Sequence, residues 1–234
     1  MTWFPTNDWF ERPHNKPLQT DERRMSVAAY CKVTLAPLAA ERQSRYTAQT
    51  MKRRAIFLDL NGTLVLPIIV ERLSELKPID DASAAVANIS KAGFVCPVVT
   101  IQSRIGKGLF SLEEFQEWFR NFAVEFRQHG AEVLGPYVCP HRFAEVCHCK
   151  KPNTFLYEQA ATEHGIDLRR SFVIGDSAAD VEAASRFGGC GILVRTGWAA
   201  DEQKVKCGIP YASHVAQSLT DATSWVLRQP KEAV

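Results

Sequence analysis

Short apolar runs alternate with helical patterns along the chain from residue 55 onward. Uninterrupted apolar runs predict buried strands, and a shorter run predicts one more strand; the five segments are 55–60, 94–100, 137–139, 171–175 and 191–195. Apolar residues at helical spacing predict helices between them, over 81–91, 111–129, 153–164, 178–187 and 219–227. Strands that alternate with helices are typical of an α/β fold with a doubly wound parallel sheet.

Two local features bear on these elements. Pro97 lies inside the second predicted strand, where its missing N–H is a defect for a central strand. Ser111 and Glu114 have the spacing of a capping box at the start of a helix. The apolar side of that helix is aromatic and is interpreted as core; it carries Phe115, Trp118, Phe119, Phe122 and Phe126.

Residues 1–50 show neither the alternation of a strand nor the apolar spacing of a helix. Trp3, Phe4, Trp9 and Phe10 lie among prolines, without a sustained apolar pattern. We expect a poorly structured N-terminal extension over 1–50 and a folded domain over 51–234. Three interpretations of the extension stay open: a segment without the domain's chemistry, a misplaced start codon, or a partner-binding arm with aromatic anchors.

Composition and charge narrow the class of protein. The 234 residues are 46% hydrophobic and 23% charged, and 28 Lys and Arg against 26 Asp and Glu give a net charge of +2. This balance is typical of a globular protein and does not favour a nucleic-acid or membrane partner. No apolar run approaches the roughly 18 residues of a membrane span, and Asp8 and Glu11 fall where a signal peptide is apolar. We expect a cytoplasmic monomer.

Three of the seven cysteines lie close together with a histidine. Three thiolates and one imidazole form the donor set of a closed, structural zinc site; the four residues are Cys139, His141, Cys147 and Cys149. Such a site would order a loop that has few apolar residues, and would direct the adjacent Lys150 and Lys151 toward a substrate.

Polar residues at the predicted strand ends suggest a second site. Asp59, Thr100 and Asp176 lie at or just beyond three of these ends, and the carboxyl ends of parallel strands converge. With Lys151 and Asp180 they supply an attacking carboxylate, ligands for phosphoryl oxygens and carboxylates for Mg²⁺. This combination favours phosphoryl transfer.

The motifs around these residues resemble those of the haloacid dehalogenase (HAD) superfamily of aspartate-nucleophile phosphohydrolases. Four segments match its motifs in order, at 57–64, 98–103, 150–152 and 173–180. The cysteine cluster and the Thr100-x-Gln102-Ser103 sequence resemble a zinc-bearing branch that contains D-glycero-D-manno-heptose-1,7-bisphosphate 7-phosphatase and histidinol-phosphatase. The resemblance starts near residue 52 and implies that 51–234 is a HAD-like hydrolase domain, with a small zinc-stabilised loop and no large cap domain.

The resemblance also implies roles for individual residues. Asp59 is the expected nucleophile, and it shares Mg²⁺ with the Asn61 backbone carbonyl and the Asp176 side chain, supported by Asp180. Thr100 and Lys151 are expected to bind the phosphoryl group. The remaining candidate substrate contacts are Gln102, Ser103, Arg104 and Lys150.

Asn61 departs from the pattern. Phosphatases of this superfamily carry a second Asp there, which protonates the leaving oxygen and then activates water. Loss of a general acid–base typically costs about 10²–10⁴ in rate. A slow phosphatase, a non-hydrolytic binder, a phosphotransferase-like variant with a good leaving group and a substitution introduced to trap ligand all fit.

The leading interpretation is a Mg²⁺-dependent phosphatase of a small sugar or alcohol phosphate, with structural Zn²⁺, acting through an aspartyl-phosphate. The exact substrate, a heptose bisphosphate, histidinol phosphate or another compound, stays open. A catalytically silent phospholigand-binding or scaffold protein is the alternative. A nucleic-acid end phosphatase is a weaker third, because the charge is near neutral and no basic stripe is evident.

Overall fold

The computed structural model describes residues 52–230, and a six-stranded sheet lies at its centre. The strands of this part of the chain are β1 (Ile56–Leu58), β2 (Val65–Leu66), β3 (Lys77–Pro78), β4 (Pro97–Ile101), β5 (Leu134–Cys139), β6 (Phe172–Gly175), β7 (Cys190–Val194) and β8 (His214–Ala216). The sheet has the order β5-β4-β1-β6-β7-β8, and each neighbouring pair is parallel. The predicted parallel sheet is therefore confirmed.

Helices cover both faces of the sheet. They are α1 (Ala82–Lys91), α2 (Ser103–Gly106), α3 (Leu112–Gln128), α4 (Phe155–His164), α5 (Ala178–Phe187), α6 (Glu202–Gly208) and α7 (Leu219–Arg228). Buried residues of α1, α3 and α7 pack in one cluster with Ile56 and Leu58 of β1. Phe57 of the same strand packs in a second cluster with α4 and α5. The alternation of side chains along β1 therefore gives the molecule two apolar layers, one on each face.

The aromatic helix behaves as its sequence predicts. Ser111 accepts a hydrogen bond from the Glu114 N–H at 3.1 Å, and Glu114 accepts one from the Ser111 N–H at 2.6 Å. Phe115, Phe119, Phe122 and Phe126 are buried, whereas Trp118 is only partly buried at the margin of the cluster. The stripe is core, as interpreted.

The structure revises some element boundaries. Pro97 is the first residue of β4 rather than an interior one, a position that tolerates a missing N–H. The strand predicted at 137–139 is longer, because β5 begins at Leu134. Four short elements were not predicted from the pattern: the antiparallel β2–β3 hairpin, α2, α6 and β8.

The expectations for residues 1–50 fall outside the described residues and remain predictions. Within residues 52–230, each helix is too short or too polar to cross a membrane.

The only insertion between β1 and α1 is the 14-residue segment from Val65 to Pro78 that holds the two-stranded β2–β3 hairpin. The expected absence of a large cap domain holds for this part of the chain.

Candidate active site

The predicted strand-end residues converge on one pocket. Asp59 follows β1, Thr100 lies near the end of β4, and Asp176 follows β6. All three line a cavity of about 570 Å³ together with Lys151 and Asp180. The carboxylates of Asp59, Asp176 and Asp180 form a cluster, called here the carboxylate cluster, in which one oxygen from each residue lies within 4.8 Å of the other two.

Lys151 joins two members of this cluster. Its ammonium donates to Asp59 Oδ1 and to Asp180 Oδ1, both at 2.6 Å, and the side chain is buried. Asp180 lies in the first turn of α5, where its Oδ2 accepts hydrogen bonds from the Ser177 N–H at 3.2 Å and the Ser177 hydroxyl at 2.5 Å. Asp180 is thus held at a helix N-terminus, facing the lysine.

The carboxylate cluster is short of positive charge. Burial raises the pKa of Asp59 to about 6, against the opposing effect of Lys151. Burial, followed by the charges of Asp59 and Asp180, raises the pKa of Asp176 to about 8. Burial alone would lower the pKa of Lys151, but the neighbouring carboxylates raise it well above its ordinary value. One ammonium thus faces three buried carboxyl groups, and a hard divalent cation with oxygen ligands fits this set.

Two glycines and a loop enclose Asp176. Gly62 and Gly197 both have positive φ, and a Cβ at either position would overlap the Asp176 carboxylate. The Trp198 N–H donates to Asp176 Oδ2 at 2.7 Å, and the Thr196 hydroxyl donates to the Gly62 carbonyl at 2.5 Å. Trp198 was not predicted from the sequence, although its place three residues beyond the strand predicted at 191–195 was an available signal.

Gln102 orients two polar side chains that line the same cavity as Asp59. Its Nε2 donates to Asn61 Oδ1 at 2.7 Å and to Thr100 Oγ1 at 3.0 Å. The oxygen of the Asn61 amide is therefore occupied, which leaves its NH₂ group as the part available to a substrate. An NH₂ group can donate a hydrogen bond to a leaving oxygen but cannot transfer a proton to it.

Three further candidate substrate contacts lie in the wall of the cavity. Ser103, Arg104 and Lys150 all line the cavity. However, the Lys150 ammonium donates three hydrogen bonds to backbone carbonyls of the loop that precedes it, at 2.6–2.9 Å. Arg104 Nε likewise donates to the Val70 carbonyl at 3.1 Å. The three Lys150 protons all have backbone acceptors, whereas Arg104 uses one of its five N–H donors. That either residue contacts a substrate phosphate stays a prediction.

The predicted zinc ligands also meet. In this set, called here the sulfur cluster, Sγ of Cys147 lies 3.7 Å from Sγ of Cys139 and from Sγ of Cys149. Nδ1 of His141 lies 3.7 Å from Sγ of Cys139 and 3.2 Å from Sγ of Cys149. Zinc with Zn–S bonds of about 2.3 Å in a tetrahedron places its sulfurs about 3.8 Å apart. Burial raises the pKa of Cys139 to about 12, so a cation is needed to hold it as a thiolate near neutral pH.

Comparisons with known proteins agree with this geometry. A HAD-hydrolase-like family model matches residues 148–222. The D-glycero-beta-D-manno-heptose-1,7-bisphosphate 7-phosphatase of Vibrio cholerae serotype O1 is 33% identical over 190 residues, which are 77% of this chain and 100% of that protein. The enzyme of the same name from Haemophilus ducreyi is 31% identical over 187 residues, 75% of this chain and 100% of that protein.

A solved structure agrees as well. The crystal structure of D,D-heptose 1,7-bisphosphate phosphatase from B. bronchiseptica, complexed with magnesium and phosphate, superposes with a TM-score of 0.69 at 25% identity. The match covers 76% of this chain and 99% of that protein. Similarity in sequence and in fold thus spans nearly the whole length of these relatives.

Proposed function

The chain belongs to the haloacid dehalogenase superfamily, in the branch of the heptose-bisphosphate phosphatases, and we propose that it is a Mg²⁺-dependent phosphomonoesterase. Its substrate is a small sugar or alcohol phosphate. The reaction transfers the phosphoryl group first to Asp59 and then to water. The names of the relatives place a heptose bisphosphate among the first substrates to test.

One observation carries the proposal: Lys151 lies between Asp59 and Asp180 at the floor of a pocket that Thr100 and Asp176 also line. The lysine keeps Asp59 ionised and directed into the cavity. A carboxylate that is buried, ionised and accessible from one side has the properties of a nucleophile.

Each residue has a task in the first step. An oxygen of Asp59 attacks phosphorus, the bond between phosphorus and the ester oxygen breaks, and the alcohol oxygen leaves with the electron pair. The Thr100 hydroxyl and the Lys151 ammonium bind phosphoryl oxygens as charge shifts onto them. Asp59, Asp176 and the Asn61 backbone carbonyl, with support from Asp180, would hold Mg²⁺, and the cation would supply charge neutralisation for the incoming phosphate.

The second step returns Asp59 to its starting state. Water attacks the phosphorus of the aspartyl phosphate, the bond to the Asp59 oxygen breaks, and inorganic phosphate leaves. Since Asn61 supplies no proton in the first step and removes none in the second, solvent has to do both. Turnover of esters with strongly basic leaving oxygens is therefore slow.

The sulfur cluster has a structural role in this proposal. Cys139, His141, Cys147 and Cys149 bind Zn²⁺ and leave no open position for a substrate. The metal shapes the loop that ends at Lys150 and Lys151, so that Lys151 enters the pocket.

A phosphate-release assay with the full chain tests the function. Heptose bisphosphate, histidinol phosphate, sugar phosphates and an aryl phosphate are incubated with Mg²⁺ or with EDTA. We expect Mg²⁺-dependent release from at least one of them. Release that is equal with Mg²⁺ and with EDTA would contradict the proposal.

A phospholigand-binding protein without turnover is the second candidate, and Asn61 is the observation that favours it. The same assay separates the two, since a binder releases no phosphate from any ester. Calorimetry with inorganic phosphate then identifies the binder by heat of binding in the presence of Mg²⁺.

A further inference from the structure

The cavity that holds Asp59 contains few groups that can take up a proton. Among the described residues that line it, the titratable side chains are the three acids of the carboxylate cluster and four cations. Charged ammonium and guanidinium groups accept no proton; the four cations are Arg104, Lys107, Lys150 and Lys151. A base for an attacking water therefore has to come from the carboxylate cluster or from the residue at position 61.

The carboxylate cluster has no acid to spare for this task. Asp180 Oδ1 accepts from the Lys151 ammonium at 2.6 Å, and its Oδ2 accepts from the Ser177 N–H and hydroxyl at 3.2 Å and 2.5 Å. Asp176 Oδ2 accepts from the Trp198 N–H at 2.7 Å, and the same carboxylate belongs to the proposed Mg²⁺ site. The third acid is the group that receives the phosphoryl group.

The amide of Asn61 does not supply the base either. Gln102 is buried, and its Nε2 donates to Asn61 Oδ1 at 2.7 Å, which fixes the orientation of this amide. An amide forms hydrogen bonds with water through its oxygen or its NH₂ group, but it takes up no proton near neutral pH. A water that attacks phosphorus in this cavity therefore loses its proton to solvent.

The two steps of the proposed reaction depend differently on a group that transfers protons. In the first, an oxygen of Asp59 attacks phosphorus and the ester bond breaks. A weakly basic leaving oxygen, as in a phenol, an enol or a carboxylic acid, departs with the electron pair and without a proton. In the second, water attacks phosphorus, the bond to the Asp59 oxygen breaks with its electron pair on Asp59, and the water must lose a proton whatever the substrate was.

We infer that this chain accumulates as an aspartyl phosphoprotein when it receives aryl, enol or acyl phosphates. The inference rests on the proposed function and names both the donor class and the state in which the protein is found during turnover. Loss of a general base typically costs about 10²–10⁴ in rate, and with these donors the cost falls on the second step alone. If that step is about tenfold slower than the first, about nine in ten chains carry the phosphoryl group at saturating donor.

Rapid-quench kinetics of the full chain with 4-nitrophenyl phosphate and Mg²⁺ test the inference. We expect a burst of nitrophenolate of at least about half an equivalent per chain, followed by slower release of nitrophenolate and inorganic phosphate at one common rate. Acid-quenched protein should have gained the mass of one phosphoryl group. Hydroxylamine should remove it, because its nitrogen attacks the acyl carbon of Asp59, a hydroxamate forms and phosphate leaves.

Matched variants assign the effect to position 61. Phosphoprotein freed of donor should lose its phosphate at least about tenfold faster in Asn61→Asp than in the wild type. With the aryl donor the same variant should raise kcat and change kcat/KM little, since kcat/KM includes only the phosphorylating step. Asn88→Asp, an exposed change on α1, is the control and should match the wild type. Asp59→Asn should gain no phosphoryl group.

The outcomes separate this inference from the proposed function. Equal release of nitrophenolate and phosphate from the first turnover, with under about a tenth of the chains phosphorylated, would overturn the inference and leave the phosphatase intact. Phosphorylation of Asp59 without release of phosphate would support the inference, whereas the phosphatase proposal would fail. Equal decay of the phosphoprotein in Asn61→Asp and wild type, or phosphorylation of Asp59→Asn, would also overturn the inference. A chain that neither gains nor releases phosphate would overturn both.

Discussion

The carboxylate cluster and the sulfur cluster differ in what positions their side chains. The three carboxylates follow strands β1 and β6 or begin helix α5, so the core of the sheet fixes their backbones. Three of the four sulfur-cluster ligands lie beyond the end of β5 in a loop that also exposes Phe143 and Val146. Few apolar contacts order this loop.

The difference concerns what a metal does in each place. At the carboxylate cluster the fold exists first, and a cation relieves repulsion among groups that are already together. At the sulfur cluster the bonds from the ligands to the proposed Zn²⁺ would give the loop its shape, so metal binding would be part of folding. The first cluster should therefore affect activity, and the second stability.

The largest expected effect is loss of activity without loss of stability. Asp59→Asn should lower kcat by about 10⁴ or more, because the nucleophile is gone. The melting temperature should stay the same or rise, since one of three buried carboxylates is removed. Phosphate release and thermal melting are measured beside Glu117→Gln, an exposed acid on α3. Residual turnover within tenfold of wild type would exclude Asp59 as the nucleophile.

The converse change breaks the other cluster. Cys147→Ser should lower zinc content from about one per chain and lower the melting temperature by roughly 5 °C or more, which is about 2 kcal/mol for a domain of this size. Elemental analysis and calorimetry are compared with Cys207→Ser, whose thiol is exposed and lies outside the cluster. A variant that melts with the wild type and keeps its zinc would remove Cys147 from the ligand set.

Placing a carboxylic acid at position 61 tests whether the missing general acid limits turnover. Asn61→Asp should raise sugar-phosphate turnover by at least about tenfold, the cautious end of general acid–base catalysis, and should affect an aryl phosphate less. Gln102 Nε2 can donate to Asp as it does to Asn, so the side chain stays oriented. Rate constants for both substrates are measured, with the exposed Asn88→Asp as control. If both substrates stay at background while phosphate binds, the scaffold interpretation replaces ours.

The carboxylate cluster also predicts a pH effect in protein stripped of Mg²⁺. Unfolded carboxyls titrate near 3.8, whereas Asp59 and Asp176 in the fold have pKa values of about 6 and about 8. Between about pH 4 and pH 8 the folded state therefore binds more protons than the unfolded state. The free energy of unfolding consequently falls as the pH rises through this range.

We expect the melting temperature to fall over that range by at least about 2–4 °C, which corresponds to about 1 kcal/mol, and Mg²⁺ to restore it at pH 8. Asp176→Asn should flatten the profile and remove the response to Mg²⁺. Equal Mg²⁺ responses in wild type and variant would show that the cation binds elsewhere.

The smallest effect is expected from the N-terminus. A chain that begins at Met51 keeps both clusters, and it should melt cooperatively within about 2 °C of the full chain, a shift of under 1 kcal/mol. Insolubility of the shortened chain would instead show that the aromatic residues of the first fifty pack onto the domain.

Sequence reasoning was most successful where a residue type is tied to a strand or a spacing. The apolar run that ends at Asp59 and the run that ends before Asp176 each placed a carboxylate, and the parallel order of the sheet brought them together. The ligand spacing likewise placed His141 between cysteines that the structure brings into contact.

The features that were not predicted depend on tertiary contacts, which leave no local pattern in the sequence. The β2–β3 hairpin has two residues per strand, too few for a period. The resemblance makes Lys150 a candidate phosphate ligand, but its three hydrogen bonds to carbonyls of the preceding loop were not predictable from sequence. Phe143 and Ile69 line the pocket from separate loops, a proximity that only the folded chain shows.

The strand order has a consequence for how the protein is made. Strand β1 is central, and one of its partners, β6, lies far along the chain: the Ala55 N–H binds the Ser171 hydroxyl 116 residues away. At about 5–20 residues per second, a ribosome takes roughly 6–23 seconds to cover that distance. During this interval the strand that precedes Asp59 has an unpaired edge, so we expect the early part of the chain to bind chaperones.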